Sequence, residues 1–236
     1  MGPDGKQAIG TAGGKAPKWD FLGGIIKKGG EEYFNSSKPY DYDGKYGTPY
    51  PKFPTWTSRG YKNFINWSLF ELRRTGWGSG QPTGNFIKDG KYYGAKPEKK
   101  GNVNVAIVNG KPDIVWGNSL FSSGITPKPT VSLAAGGSRD IIENMKNTND
   151  SSTDGRGYPF IGRVKLKNNT KTFIIGCGGG GATPSIIADT LIGHFSAKGG
   201  FIERCAVGDG GGSAAMVVGG ATIFGGGRAF PILIYW

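Results

Sequence analysis

The sequence predicts an α+β domain of strand-rich sheets, mixed or antiparallel, with few helices. Three observations carry that expectation. Short apolar segments alternate with turn pairs such as Asp89-Gly90 and Asn109-Gly110, the strongest local hairpin signals. One segment only, 184–196, has the spacing of an amphipathic helix. Glycine runs at 176–181, 208–213 and 225–227 end or join apolar stretches in the last third of the chain. With 236 residues, 36% of them hydrophobic, the chain can bury a real core. Its 44 glycines follow no collagen period, which points to loops built from backbone.

Residues 1–58 read as an extended arm with short strands, rich in Gly, Lys, Pro and Tyr and with little periodicity beyond Phe21–Ile26. The arm is expected to wrap its own domain by default, or to mediate homo-oligomer or virion assembly. The domain proper is expected over 59–236. Tyr61 to Leu72 reads as a buried strand running into a turn, and Gln81 to Lys91 as a strand plus Asp-Gly hairpin. Val103, Val105 and Ile107 alternate before Asn109-Gly110, and Asp113–Trp116 resumes the strand. Ser138 to Met145 reads as a short helix, followed by a polar loop to Gly157. Strands at 163–166 and 171–175 are joined by Asn168-Asn169. Thr183 is an N-cap with Pro184 at the first helical position, and Ile187, Leu191, His194 and Phe195 form the buried face. Strands 201–207, 214–218, 222–224 and a terminal strand within 230–236 complete the pattern.

Lys and Arg total 29 against 17 acidic residues, a formal charge of +12, so an anionic partner is expected, unless the charge serves solubility or assembly. Cys177 and Cys205 lack the spacing of a disulfide framework or zinc site and read as small buried residues. No leader pattern opens the chain and no apolar run reaches a membrane span, so the expectation is a cytoplasmic or virion-associated protein.

The glycine loops bear the chemistry. Without a Cβ, successive amide N–H groups can converge on an anion. A P-loop is excluded because GxxxxGK[ST] is absent, and GxGxxG lacks a surrounding βαβ unit. Asp209, directly after a predicted strand, is the acidic residue embedded in such a loop. It is the candidate catalytic carboxylate, or else it accepts bonds from its own loop and holds the loop's shape. His194 reads as a packed or surface histidine. Trp56, Tyr61, Trp67, Trp77, Tyr92 and Tyr93 read as core or as stacking platforms.

The run from Val207 through Gly208-Asp209-Gly210-Gly211-Gly212-Ser213 to Val218 resembles the signature of the phosphodiester glycosidases. This is the NAGPA-like family of the lysosomal uncovering enzyme and its bacterial and phage exopolysaccharide-type relatives, which usually reads L-D-G-G-G-S-S-T-M-V-V there. Asn66-Trp67-Ser68-Leu69-Phe70 is similar to the family's N-G-G-F-F, and Pro82 to Lys91 to its P-x-G-x-x-I-x-x-G-K. Arg228 matches a late arginine, so the likeness covers about residues 60–236. Trp67-Ser68 replaces a glycine pair, Ala214 and Ala215 stand where hydroxyl residues are common, and Arg156 or Arg163 takes the place of the arginine in R-T-x-x-G.

The resemblance implies a hydrolase that cleaves a sugar C1–O bond whose leaving group is a phosphate ester. Asp209 would stabilise oxocarbenium character or activate water. Arg156 or Arg163, Arg228 and the loops Gly178-Gly179-Gly180 and Gly210-Gly211-Gly212-Ser213 would bind phosphate, and Asn66 would orient the sugar. Glu71, Asp113, Asp189 and Glu203 are candidates for a second carboxylate. No cofactor is implied, although a divalent ion could bridge Asp209 and a ligand phosphate. The ligand is an anionic sugar phosphate or nucleotide-like molecule. Two alternatives use the same residues: a binder that sequesters a phosphate-bearing ligand or adheres to a wall polymer, and a structural virion protein.

Overall fold

The computed structural model describes residues 6–9, 21–26, 35–36, 60–68, 84–94, 102–137, 139–148, 155–169, 171–178, 181–225 and 233–235. A seven-stranded sheet has the order β1 (Lys6–Ile9), β2 (Phe21–Ile26), β15 (Lys171–Gly178), β14 (Tyr158–Lys165), β16 (Phe201–Val207), β12 (Arg139–Glu143), β13 (Lys146–Asn147). A five-stranded sheet runs β6 (Lys91–Tyr92), β5 (Phe86–Lys88), β11 (Val131–Gly136), β7 (Val103–Val108), β8 (Lys111–Trp116). A second one runs β18 (Ala221–Gly225), β17 (Ala215–Val218), β4 (Phe64–Asn66), β19 (Leu233–Tyr235), β3 (Asn35–Ser36). A small hairpin pairs β9 (Phe121–Ser123) with β10 (Thr126–Pro127).

Every one of these pairings is antiparallel, and the described residues hold a single α-helix, α1 (Pro184–Ala197). The strand-rich, antiparallel sheets and the scarcity of helices are as expected, but the architecture is mostly β rather than α+β. Antiparallel pairs need only short turns, and the turn chemistry supplies them. Asp89 and Gly90, and likewise Asn109 and Gly110, have positive φ at both central positions, the geometry that matches strand twist in a two-residue hairpin.

The segment 139–143 is a strand, not a helix. Arg139 and Asp140 pair with Val207 and Ala206, and Ile142 pairs with Cys205, burying both Ile141 and Ile142 completely. Residues with fair helix propensity are here held extended by a neighbouring strand edge and by core burial, each isoleucine contributing about 1.5–3 kcal/mol of transfer free energy. A tight turn with positive φ at Asn144 and Met145 returns the chain into β13.

The long strands alternate faces, and that alternation builds two cores. Phe160, Val164, Ile174, Ile202, Cys205 and Val207 pack under Ile187, Leu191 and Phe195 of α1. Ile161, Phe173, Ile175 and Ala206 face the other way, onto Trp67, Phe86, Val105, Ile107 and Met216. The helix begins as its residues dictate: Thr183 Oγ1 accepts a hydrogen bond from Ile186 N at 3.1 Å, and Pro184 occupies the first turn.

Arg204 ties strands together on the β8 side. Its guanidinium lies 4.9 Å from the centre of the Trp116 ring, 2.7 Å from Glu143 and 3.4 Å from Asp140. Burial pushes Asp140 up to about 7 despite Arg204. Its folded pKa thus lies above the unfolded value, so the folded state holds a proton the unfolded chain has lost. Stability falls as pH rises from about 4 to 7 and is flat beyond. Asp140→Asn should gain on wild type by about 2 kcal/mol at most between pH 5.5 and 8.5. In thermal melts the difference in Tm should open by roughly 4–8 °C over that range. A difference that does not change with pH would show that Asp140 titrates normally.

Candidate functional site

Three strand ends converge to make the site. β14 enters at Arg156-Gly157-Tyr158, β15 leaves at Gly178, and β16 delivers Gly208 and Asp209. Tyr158 pairs with Gly178 across one ladder, and Phe160 with Val207 across the other. The loop after β16 is held by main-chain bonds throughout. Gly208 N donates to Pro159 O, Asp209 N to Trp67 O, Gly211 N to Gly157 O and Ala214 N to Gly211 O, at 2.8 to 3.0 Å.

Two loop glycines are required by close approach. A Cβ on Gly210 would lie 2.4 Å from the Tyr158 ring, and one on Gly208 would lie 2.7 Å from Trp67 O. Gly211 has φ +68°, and a Cβ there would sit 3.2 Å from Arg156 Cδ. The Arg156 stem therefore lies directly against the loop; Arg156 is exposed and Asp209 is half-buried.

Asn66 is 1% exposed and spends both ends of its amide on this loop. Its Nδ2 donates to Asp209 O at 3.0 Å, and its Oδ1 accepts from Ala215 N at 2.8 Å. The structure thus gives Asn66 a positioning role, in place of the sugar contact expected from the resemblance. Trp67 is fully buried and donates its indole N–H to Ala135 O at 2.9 Å, so it is core and not a stacking platform. The buried hydroxyls of Ser68 and Ser213 have no hydrogen-bond partner among the described residues. Each such group costs about 1–3 kcal/mol, which a ligand oxygen or a water would recover.

The structure brings together Asp209, Gly210, Gly211, Gly212, Ser213, Asn66, Arg156 and Gly178. It does not bring Arg163. That residue pairs with Arg204 on β16, five residues before Asp209, or about 16 Å along the strand. Its Nη1 meets Asp113, and its Nε lies 2.7 Å from Glu203. The assignment of Arg163 to the phosphate site is corrected on that ground. Gly179, Gly180 and Arg228 lie outside the described residues.

Asp113 and Glu203 belong to the distant cluster. For Glu203, burial raises the pKa, but Lys171 and Arg163 outweigh it and hold the carboxyl below its usual range. Asp189 accepts from Asn147 Nδ2 at 2.8 Å on the outer side of α1, and Glu71 is outside the described residues. Burial pushes the Cys177 thiol far up, which argues against a thiolate nucleophile. His194 stands edge-on to Phe195, and burial lowers its pKa, with Lys198 acting the same way. No group of three or more His, Cys, Asp or Glu positioned to hold a metal occurs among the described residues, and no helix there is long and apolar enough to cross a membrane. Sequence reasoning missed Tyr158 and Pro159. One packs under Gly210 and the other accepts from Gly208; their position just after Arg156-Gly157 was the available signal.

No protein-family model and no curated protein sequence matches the chain. Solved structures do. The catalytic domain of zebrafish N-acetylglucosamine-1-phosphodiester alpha-N-acetylglucosaminidase (NAGPA), auto-inhibited by its pro-peptide, superposes with a TM-score of 0.67 at 13% identity, over 98% of this chain and 80% of that one. A hypothetical protein from Synechocystis gives 0.57 at 11% identity, over 98% of this chain and 61% of that one. A putative exported protein from Burkholderia pseudomallei gives 0.55 at 10%, over 92% and 74%. At such identities the likeness speaks to architecture, and the chain has a NAGPA-like fold.

Proposed function

We propose that the chain is a hydrolase that cleaves the glycosidic bond of a sugar phosphodiester, drawn from a glycan, a teichoic acid or a nucleotide-derived molecule. The observation that carries this reading is the pinned loop. Asp209 is fixed through its own backbone N to Trp67 O and through its backbone O to Asn66, and the Arg156 stem lies against the same loop. The NAGPA-like fold supports the reading, since the zebrafish protein is named for a 1-phosphodiester glycosidase.

In the reaction, water adds to the sugar C1 as the bond from C1 to the phosphate oxygen breaks. The bonding pair leaves with the phosphate ester, and the proton of the water passes to Asp209 and then to solvent. In this reading Arg156 stabilises the charge growing on the leaving phosphate, and the amides of Gly210 and Gly212 contribute further hydrogen bonds. A phosphate ester leaves readily, so the reaction makes little demand for a strong general acid.

The test is turnover of a panel of sugar 1-phosphodiesters in water enriched in oxygen-18. Cleavage at C1–O leaves the phosphate product unlabelled. Label in the phosphate would mean attack at phosphorus and would overturn the reading. Tight binding with the ligand recovered intact would instead identify a non-catalytic binder.

A further inference from the structure

At the end of β14 remote from Asp209, seven residues and about 23 Å from Tyr158, a second cleft opens between the β7–β8 turn and the ends of β14, β15 and β16. Its larger lobe, about 840 Å³, is lined by Lys111, Asp113, Arg163, Lys171 and Glu203 among others. A smaller lobe of about 340 Å³ shares Glu203 and adds Lys165, Lys167 and Phe201. Five cations thus face two carboxylates, a local excess of three positive charges.

Both carboxylates are already committed. Arg163 engages Asp113 and Glu203, and Lys171 reaches Glu203 at 3.1 Å. Among the described residues, Lys111, Lys165 and Lys167 have no ion-pair partner. Lys165 sits directly opposite Lys171 on one side and opposite Phe201 on the other. Like charges facing across a strand pair cost up to about 1 kcal/mol, a cost an anion lying between them would remove. Phe201 is 40% exposed, one of two large hydrophobic residues so placed among the described residues. An exposed ring in a row of lysines presents a stacking face beside phosphate partners.

We propose that this cleft binds single-stranded nucleic acid, with phosphates on Lys111, Lys165, Lys167 and Lys171 and a base stacked on Phe201. Phosphate neutralisation supplies a salt-dependent affinity with a slope of about 0.7 per contact for single strands. Aromatic stacking adds sequence-tolerant affinity, and it separates a base-bearing strand from a bare phosphate polymer.

The test is fluorescence anisotropy of labelled 12-nucleotide DNA and RNA strands with the full chain, between 50 and 200 mM salt. Phe201→Ala should weaken binding about tenfold, and Lys165→Ser and Lys167→Ser should each reduce the salt slope by about 0.7. Lys146→Ser, on exposed β13 at the far sheet edge, should bind as wild type. Asp209→Asn should also bind as wild type, which keeps this proposal separate from the hydrolase reading. Phe201, Lys167 and Lys146 are exposed and Lys165 is half-buried, and unchanged circular dichroism establishes that each variant folds. The proposal is overturned if no strand binds at 50 mM salt or if Lys146→Ser costs as much as the cleft variants. Polyphosphate competing on equal terms while Phe201→Ala has no effect would equally overturn it.

Discussion

Asp209→Asn is expected to lower turnover of a sugar phosphodiester by roughly 10²- to 10⁴-fold, the range spanned by a positioned acid–base group, while leaving the fold intact. The structural half of that expectation follows from which atoms hold the loop. Asp209 N donates to Trp67 O, and Asp209 O accepts from Asn66. Both are backbone groups, and an asparagine of the same shape retains them. What changes is the charge and the ability to take a proton. KM should therefore move little while kcat falls, because phosphate binding is assigned to Arg156 and the loop amides. Should the variant melt many degrees below wild type and lose activity only in proportion to its unfolded fraction, the carboxylate would be a scaffold element.

Much of this architecture was legible because its turns are chemically explicit. Asp89-Gly90, Asn109-Gly110 and Asn169 all carry the positive φ that their residue types favour, so the hairpins could be read directly. The turn at Asn144-Met145 was not legible, since methionine carries no turn signal. Without that turn, Arg139–Glu143 looks helical, and only its register with β16 makes it a strand. The mostly β character was hidden in the same way, because strand pairing is a long-range property.

The site divides along a similar line. Asp209 and its glycines announce themselves locally, because close packing against Tyr158 and Trp67 O admits nothing larger. The arginines do not. Arg156 and Arg163 are seven residues apart on one continuous run, and nothing local says which end of the strand meets the loop. The antiparallel register decides it: Phe160 pairs with Val207 beside the loop, whereas Arg163 pairs with Arg204 well before it. Asn66 was likewise identifiable as important but not in its role, which depends on a partner 143 residues away in sequence.

That role makes Asn66→Ala the most destabilising change expected in the site. The side chain is 1% exposed and satisfies two main-chain groups, Asp209 O and Ala215 N. Truncation leaves a buried carbonyl and a buried amide without partners, each costing about 1–3 kcal/mol, so a loss of about 2–5 kcal/mol is expected. On a chain of this size that corresponds to roughly 5–15 °C in Tm. Asn66→Asp gives a sharper reading. One carboxylate oxygen still accepts from Ala215 N, but the other now faces Asp209 O, acceptor against acceptor, so the loop loses one bond and gains a repulsion. Both variants should lose turnover beyond what their stability explains, as the Asp209 backbone is released on one side. An Asn66→Ala protein that melts within a degree or two of wild type would show that the loop is anchored by Trp67, Pro159 and Gly157 alone, and that the clamp through Asn66 is dispensable.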